Sequence, residues 1–378
     1  MTNNAFSYWQ APPHWLQISS LDCHTGGEPL RIITAGFPAL RGSTVLEQRR
    51  DCQQRFDHLR SALMFEPRGH ADMYGCIIVP PERANSAFGV LFIHNEGYST
   101  MCGHAMIALA KTAVEAAVVP VTYPVTEFLL DAPCGQIRLF AQIATDDPAG
   151  HSAGHATDDP GLTSGSTSAR GKDKRKIQVH RCWFENVPSF VLGNSQQIEV
   201  AGIGKVPYQL AYGGAFYAYV DADAIDLDLS MANHRQIVRY GELIKQQLLA
   251  DGVSVTHPFS EDLSFLYGVI FMGPAQKPGV YQRNVCIFAN GELDRSPTGS
   301  GVSGLVAILQ QQGRLAPGEK IRIESIVGSE FEVSVKTQTS FGPYSAVVPQ
   351  VAGTAHVTGR HQFLIDPEDP LAEGFIFR

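Results

Sequence analysis

Residues 74–81 read YGCIIVPP, 88–97 read FGVLFIHNEG and 100–110 read TMCGHAMIALA; far downstream, 267–274 read YGVIFMGP, 283–292 read RNVCIFANGE and 296–308 read SPTGSGVSGLVAI. Both runs open on Tyr-Gly, continue as two short apolar strands and end at a helix start. Tyr74 lies 28 positions before Cys102, and Tyr267 lies 31 before Thr298. One strand, strand, helix unit therefore occurs twice. Cys102 and Thr298 fall at equivalent places in it.

In the second copy Ser296 reads as the N-cap and Pro297 as the first helical residue, which puts Thr298 at N2 and Gly299 at N3, with Ser300 just beyond. By the repeat, Thr100 is the cap, Met101 is N1 and Cys102 is N2, followed by Gly103 and His104. The helix after Cys102 is apolar on nearly every side, as expected of a helix enclosed by strands. The first turn of a helix carries unpartnered N–H groups and positive partial charge, so two such starts facing each other suit one small carboxylate. Glycine at 103 and 299 lets a ligand approach the backbone. The Thr100 and Ser296 hydroxyls, as caps, would each occupy one of those donors. A thiol at such a helix start is expected to have a lowered pKa and to act as base or nucleophile; the other six cysteines read as buried structural thiols.

Working outward, the chain has 378 residues, 44% of them hydrophobic and 17% charged, which is globular composition and excludes disorder for most of its length. At this length two domains are expected. A net charge of −8 argues against a nucleic-acid partner, which needs clustered Lys and Arg. The start, MTNNAFSYWQ, shows no leader pattern, and the apolar run around 105–121 is broken by Lys111 and Glu115, so a cytoplasmic protein without membrane contact is expected. Seven cysteines with no C-x-x-C pair suit free thiols in a reducing compartment.

Short strands dominate the pattern: 76–79, 88–93, 216–220, 285–288, 321–327 and 331–335. Helices are expected at 44–60 after a Ser43 cap, 101–119, 233–250 and 301–312. Residues 145–176, with the near-duplicated TDDPAGHSAGHATDDPG and then GKDKRK, read as a mobile surface insertion. His151, His155 and Lys172 to Lys176 there are more simply insertion residues than ligands. Gly299, Gly301 and Gly304 spell G-x-G-x-x-G, but DRSP separates them from the preceding strand, which is not the dinucleotide arrangement. His24, His70, His94 and His104 lack zinc spacing with the cysteines, so no metal is expected.

The strings MCGHAMIALA at 101 and DRSPTGSGVSG at 294 resemble the paired signatures of the proline racemase family, and LDCHTGGEPLRIITAGFP at 21, FEPRGHADMYG at 65, YGGAFYAYVDA at 212 and FLIDPEDPLAEGF at 363 are similar to it too. The resemblance runs from about residue 17 to the end, apart from 145–176. It implies a diaminopimelate epimerase-like α/β (α+β) fold: two pseudo-symmetric domains, each a mainly antiparallel barrel-like sheet around a central helix, with the site in the cleft between them. The domains are expected at 17–200, with a C-terminal return over 355–378, and at 201–354. A homodimer is implied as possible.

Family racemases carry a cysteine in each signature, one on either side of the substrate's Cα. This chain has Thr298 at the second position. An alcohol is too weak an acid to be ionised near neutrality, so two-base racemisation is disfavoured. The Cys/Thr arrangement is similar to that of the trans-3-hydroxy-L-proline dehydratase branch. In that substrate the hydroxyl lies on the same ring face as the Cα hydrogen, so one side chain can serve both. The resemblance then implies Cys102 as base for a syn elimination without cofactor. His104 and Asp294 would contact the ring nitrogen, and the amides of Gly103, His104, Gly299 and Ser300 the carboxylate. Thr298 would fill the second base's place. Asp294 could instead brace the turn before its helix. A proline or hydroxyproline epimerase and a catalytically silent amino-acid binding protein remain as alternatives.

Overall fold

The computed structural model describes residues 8–144 and 177–377. The insertion expected at 145–176 lies outside the described residues.

The duplicated unit is longer than the sequence suggests. In the first half a hairpin, Leu16–Thr25 with Glu28–Ala35, is followed by helix α1 (Val45–Met64), which crosses to strand Gly75–Val79, parallel to the hairpin's second strand. In the second half the hairpin Gly204–Tyr212 with Phe216–Asp221 is followed by two short 3-10 turns, helix α3 (His234–Ala250) and the parallel strand Leu266–Gly273. Antiparallel strands Gly89–Ile93 and Gln282–Phe288 come next, then the central helices α2 (Gly103–Glu115) and α4 (Gly299–Gln311). The strands after those helices, Val125–Ala132 and Lys320–Glu324, pair in parallel with Gly89–Ile93 and Gln282–Phe288 respectively.

α1 and α3 are surface helices. α1 buries Val45, Cys52, Leu59 and Leu63, a one-sided set. Its cap is Thr44 and not Ser43: Thr44 and Glu47 form a reciprocal capping box, because Glu47 three residues on accepts from the Thr44 backbone. α4 is buried all the way from Gly299 to Leu309 and α2 through Val114 except at Lys111, as expected of helices wrapped by strands. Each buried Val, Leu or Ile side chain contributes about 1.5–3 kcal/mol, which outweighs the roughly 1 kcal/mol cost of each glycine inside α4. The glycines are required by packing: a Cβ at Gly304 would strike the Tyr219 hydroxyl and one at Gly301 the Ile270 side chain. This explains the G-x-G-x-x-G string without a nucleotide.

The second half's sheet closes on itself, since Tyr344–Gly353 pairs with Ser189–Val200. That strand also pairs with Gly204–Tyr212, so by its ladder it joins the second sheet, although the sequence assigned it to the first domain. Ala355–Ile365 returns to pair with Leu16–Thr25 at the first sheet's edge. The two sheets join where Tyr344–Gly353 pairs with Val179–Glu185. Among the described residues no helix is long and apolar enough to cross a membrane.

Candidate active site

Both central helices have their N-cap two residues later than the expected caps Thr100 and Ser296, and for the same kind of reason. Cys102 is itself the N-cap of α2, in extended backbone, with its Sγ accepting from Ala105 N at 3.4 Å. Thr100 does not cap, because its hydroxyl donates to the Gly214 carbonyl in the other half at 2.7 Å. Thr298 is likewise the N-cap of α4, with φ 65° and no side-chain cap bond. Asp294 explains that turn: its Oδ1 accepts from Ser296 N at 2.7 Å and its Oδ2 from Thr298 Oγ1 at 2.8 Å. Ser296 Oγ accepts from Thr298 N at 3.1 Å, inside the turn and not on the helix. A left-handed φ on a β-branched residue is uncommon and persists only where neighbours hold it; here three hydrogen bonds do. The equivalence of Cys102 and Thr298 is thus retained at a different register. With neither Thr100 nor Ser296 acting as cap, the first-turn N–H groups of Gly103, His104, Gly299 and Ser300 stay clear of hydroxyl partners.

The two helix starts meet. A Cβ built on Gly299 would lie 2.5 Å from Gly103 Cα, and one on Gly103 would collide with Gly299 Cα in turn. Glycine at these positions serves first the contact between the two backbones. Beside it is a cavity of about 20 Å³, lined by Cys102, Gly103, His104, Asp294, Thr298, Gly299 and Ser300. All seven residues singled out from the sequence converge there. The volume is about that of one water, so the two halves stand close together over the site.

Burial sets the electrostatics. Cys102 is 4% exposed, and desolvation pushes its thiol well above the usual range, with the nearby Asp294 carboxyl adding to this and the Ala105 N–H opposing it. The expected lowering by the helix start is overcome, because desolvation penalises the thiolate more than one peptide donor favours it. The His104 ring lies 3.2 Å from Cys102 Sγ, and burial lowers its pKa to about 3, so the pair is a neutral thiol beside a neutral imidazole. Asp294 is raised by burial, with the Thr298 and Ser296 hydrogen bonds pulling it back. The structure gives Asp294 both readings: it braces the turn and it lines the cavity.

Four aromatic residues of the wall were not singled out. Tyr74 stands edge-on to His104 with ring centroids 4.9 Å apart, and Phe288 packs on Tyr74 and Tyr267. The Tyr217 hydroxyl pairs with Ser300 Oγ at 2.7 Å. The signal for two of them was present: Tyr74 and Tyr267 open the two copies of the repeat, and each copy delivers its tyrosine to the shared cavity. The other six cysteines are all buried and free. Among the described residues no group of three His, Cys, Asp or Glu converges as a metal set.

Comparison with known proteins follows this geometry. The family described as proline racemase matches residues 20–151 and 161–376. A trans-3-hydroxy-L-proline dehydratase of Colwellia psychrerythraea is 48% identical over 376 residues, covering 99% of this chain and 97% of that one. A 3-hydroxyproline 2-epimerase of Burkholderia multivorans is 40% identical over 361 residues, covering 96% and 98%. The crystal structure of a hydroxyproline epimerase from Agrobacterium vitis with bound trans-4-hydroxy-L-proline superposes with TM-score 0.82 at 27% identity, covering 96% of each chain.

Proposed function

Because this chain belongs to the proline racemase family, we propose that it dehydrates trans-3-hydroxy-L-proline to 1-pyrroline-2-carboxylate, with Cys102 as its one acid–base group at Cα. The observation that carries this is the asymmetry of two matched helix caps. Cys102 can ionise toward the cavity, whereas Thr298 is an alcohol whose proton is already donated to Asp294.

The substrate carboxylate is held by the first-turn amides of Gly103, His104, Gly299 and Ser300, where helix polarity favours an anion. The ring ammonium pairs with the buried Asp294. Bringing that cation into the cavity lowers the cost of a thiolate, so Cys102 ionises with its proton released to solvent while His104 stays neutral. Cys102 thiolate then takes the Cα proton, and the Cα electron pair forms the Cα–C3 double bond as the C3–O bond breaks. The leaving hydroxide takes the proton of the new thiol, directly or relayed through a water on the same face, and departs as water, which regenerates the thiolate. The enamine tautomerises to the imine. The amides around the carboxylate stabilise the charge that develops in the transition state.

Turnover of trans-3-hydroxy-L-proline, its 4-hydroxy isomer and L-proline, scored for both dehydration and inversion, tests this. Loss of water from the 3-hydroxy isomer without D-isomer formation is expected. Inversion as the main outcome would favour the epimerase alternative, which is supported by the 40% identical Burkholderia protein and by the Agrobacterium hydroxyproline epimerase that superposes on this chain. Ligand stabilisation with no turnover of any of the three would favour a silent binding protein.

A further inference from the structure

The turn between the strands Leu16–Thr25 and Glu28–Ala35 belongs to the first half but is seated on the second. A Cβ at Gly26 would fall 2.8 Å from Ser329 Oγ, and one at Gly27 would press on Val327 and Arg295. From this turn Thr25 Oγ1 donates to the His104 carbonyl at 2.9 Å, at the start of α2. Three residues on, Glu28 Oε2 accepts from Arg295 N at 2.7 Å, between Asp294 and Ser296. One short turn thus grips both helix starts, and Glu28 is its hold on the Asp294–Thr298 segment. Glu28 is fully buried, and its other oxygen, Oε1, has no hydrogen-bond partner among the described residues.

We infer that Glu28 is a positioning residue for the dehydration, acting through the Arg295 backbone to set Asp294 and Thr298 against Cys102. Its side chain does not line the catalytic cavity. Burial, with Asp294 close by, pushes its carboxyl well above the usual range. Glutamine is then a faithful replacement, since it keeps an acceptor for Arg295 N. Alanine removes the acceptor, and aspartate, one methylene shorter, does not reach.

This rests on the dehydratase reading, so the test has two arms. Wild type, Glu28→Gln, Glu28→Asp and Glu28→Ala are compared for turnover of trans-3-hydroxy-L-proline and, separately, for binding of L-proline read as a shift in Tm. Glu28→Asp carries the comparison if the alanine variant does not fold. We expect Ala and Asp to lower kcat by about tenfold to a hundredfold and Gln to stay within about threefold of wild type. L-proline affinity should fall about tenfold in Ala and Asp, as Asp294 loses its place, and be kept in Gln. Wild-type kcat and L-proline affinity in a folded Ala or Asp variant would overturn the inference, as would a folded Gln variant as impaired as Asp. If wild type binds L-proline but does not dehydrate the 3-hydroxy substrate, the dehydratase reading fails while the binding arm still decides the role of Glu28.

Discussion

Thr298 Oγ1 donates to Asp294 Oδ2 at 2.8 Å, so the hydroxyl equivalent to the Cys102 thiol is already committed to a carboxylate. A thiol at the same cap would ionise where the alcohol cannot. Thr298→Cys should therefore add proton transfer on the second face of Cα and raise inversion of L-proline or hydroxyproline by about a hundredfold or more over the wild-type background. Chiral chromatography reads this, and no D-isomer from a well-folded variant would count against the two-faced site.

Cys102→Ser keeps the shape of the cap and removes the only ionisable sulfur among the described residues that line the cavity. Turnover is expected to fall by at least about a thousandfold. Binding of substrate, which the proposed mechanism assigns to the first-turn amides and Asp294, should change only a few-fold by calorimetry. Retained turnover would move the base elsewhere.

The pH dependence follows from burial. The raised thiol is protonated at neutral pH in the free enzyme, so the thiolate fraction grows as pH rises. His104, lowered to about 3, stays neutral throughout that range and gives no inflection of its own. A plot of log kcat/KM should climb from pH 6 to 9 with a slope approaching about one. A flat profile over that interval would contradict a thiolate base.

Gly299→Ala places a methyl carbon 2.5 Å from Gly103 Cα, backbone against backbone, where no rotamer change helps. The helix starts must move apart. Stability should drop by about 1–3 kcal/mol, the usual cost of overpacking, and activity should fall further than stability, since both sets of carboxylate donors are displaced. Paired denaturant melts and kinetics measure the two effects.

His257 offers a stability prediction away from the chemistry. It packs among Tyr212, Phe259 and Phe341, its Nδ1 accepts from Ser260 N at 3.1 Å, and burial lowers its pKa to about 4. The unfolded chain binds a proton here near pH 6.5 and the native state does not, so this contribution is present above about pH 6.5 and lost as pH falls toward 4. His257→Asn, which keeps an acceptor, should flatten the loss of Tm between those values. An unchanged acid limb would show that other groups carry it.

The duplicated unit, the enclosed helices and the pairing of position 102 with 298 were legible because each rests on local pattern: short apolar strands, helix starts and glycines at repeated offsets. The register of those helix starts was not, since it is decided by distant partners. Thr100 would have capped α2 had Gly214 not claimed its hydroxyl, and Ser296 would have capped α4 without Asp294 folding the turn beneath it. The thiol's ionisation was misjudged for a related reason. A helix start is visible in sequence, but the desolvating wall of Tyr74, Tyr267 and Phe288 is assembled from both copies. Glu28 lies within the LDCHTGGEPLRIITAGFP string, but its role was not legible there because its partner is a backbone amide 267 positions away.

The return of Ala355–Ile365 to pair with Leu16–Thr25 makes the second half an insert within the first. During synthesis the second half can close its ring of strands as soon as residue 353 has left the ribosome. The first half must wait with its opening strand paired on one side only until a dozen further residues emerge, and only then acquires its outer edge. Nascent chains truncated just before that return should hold a finished second barrel beside an incomplete first one.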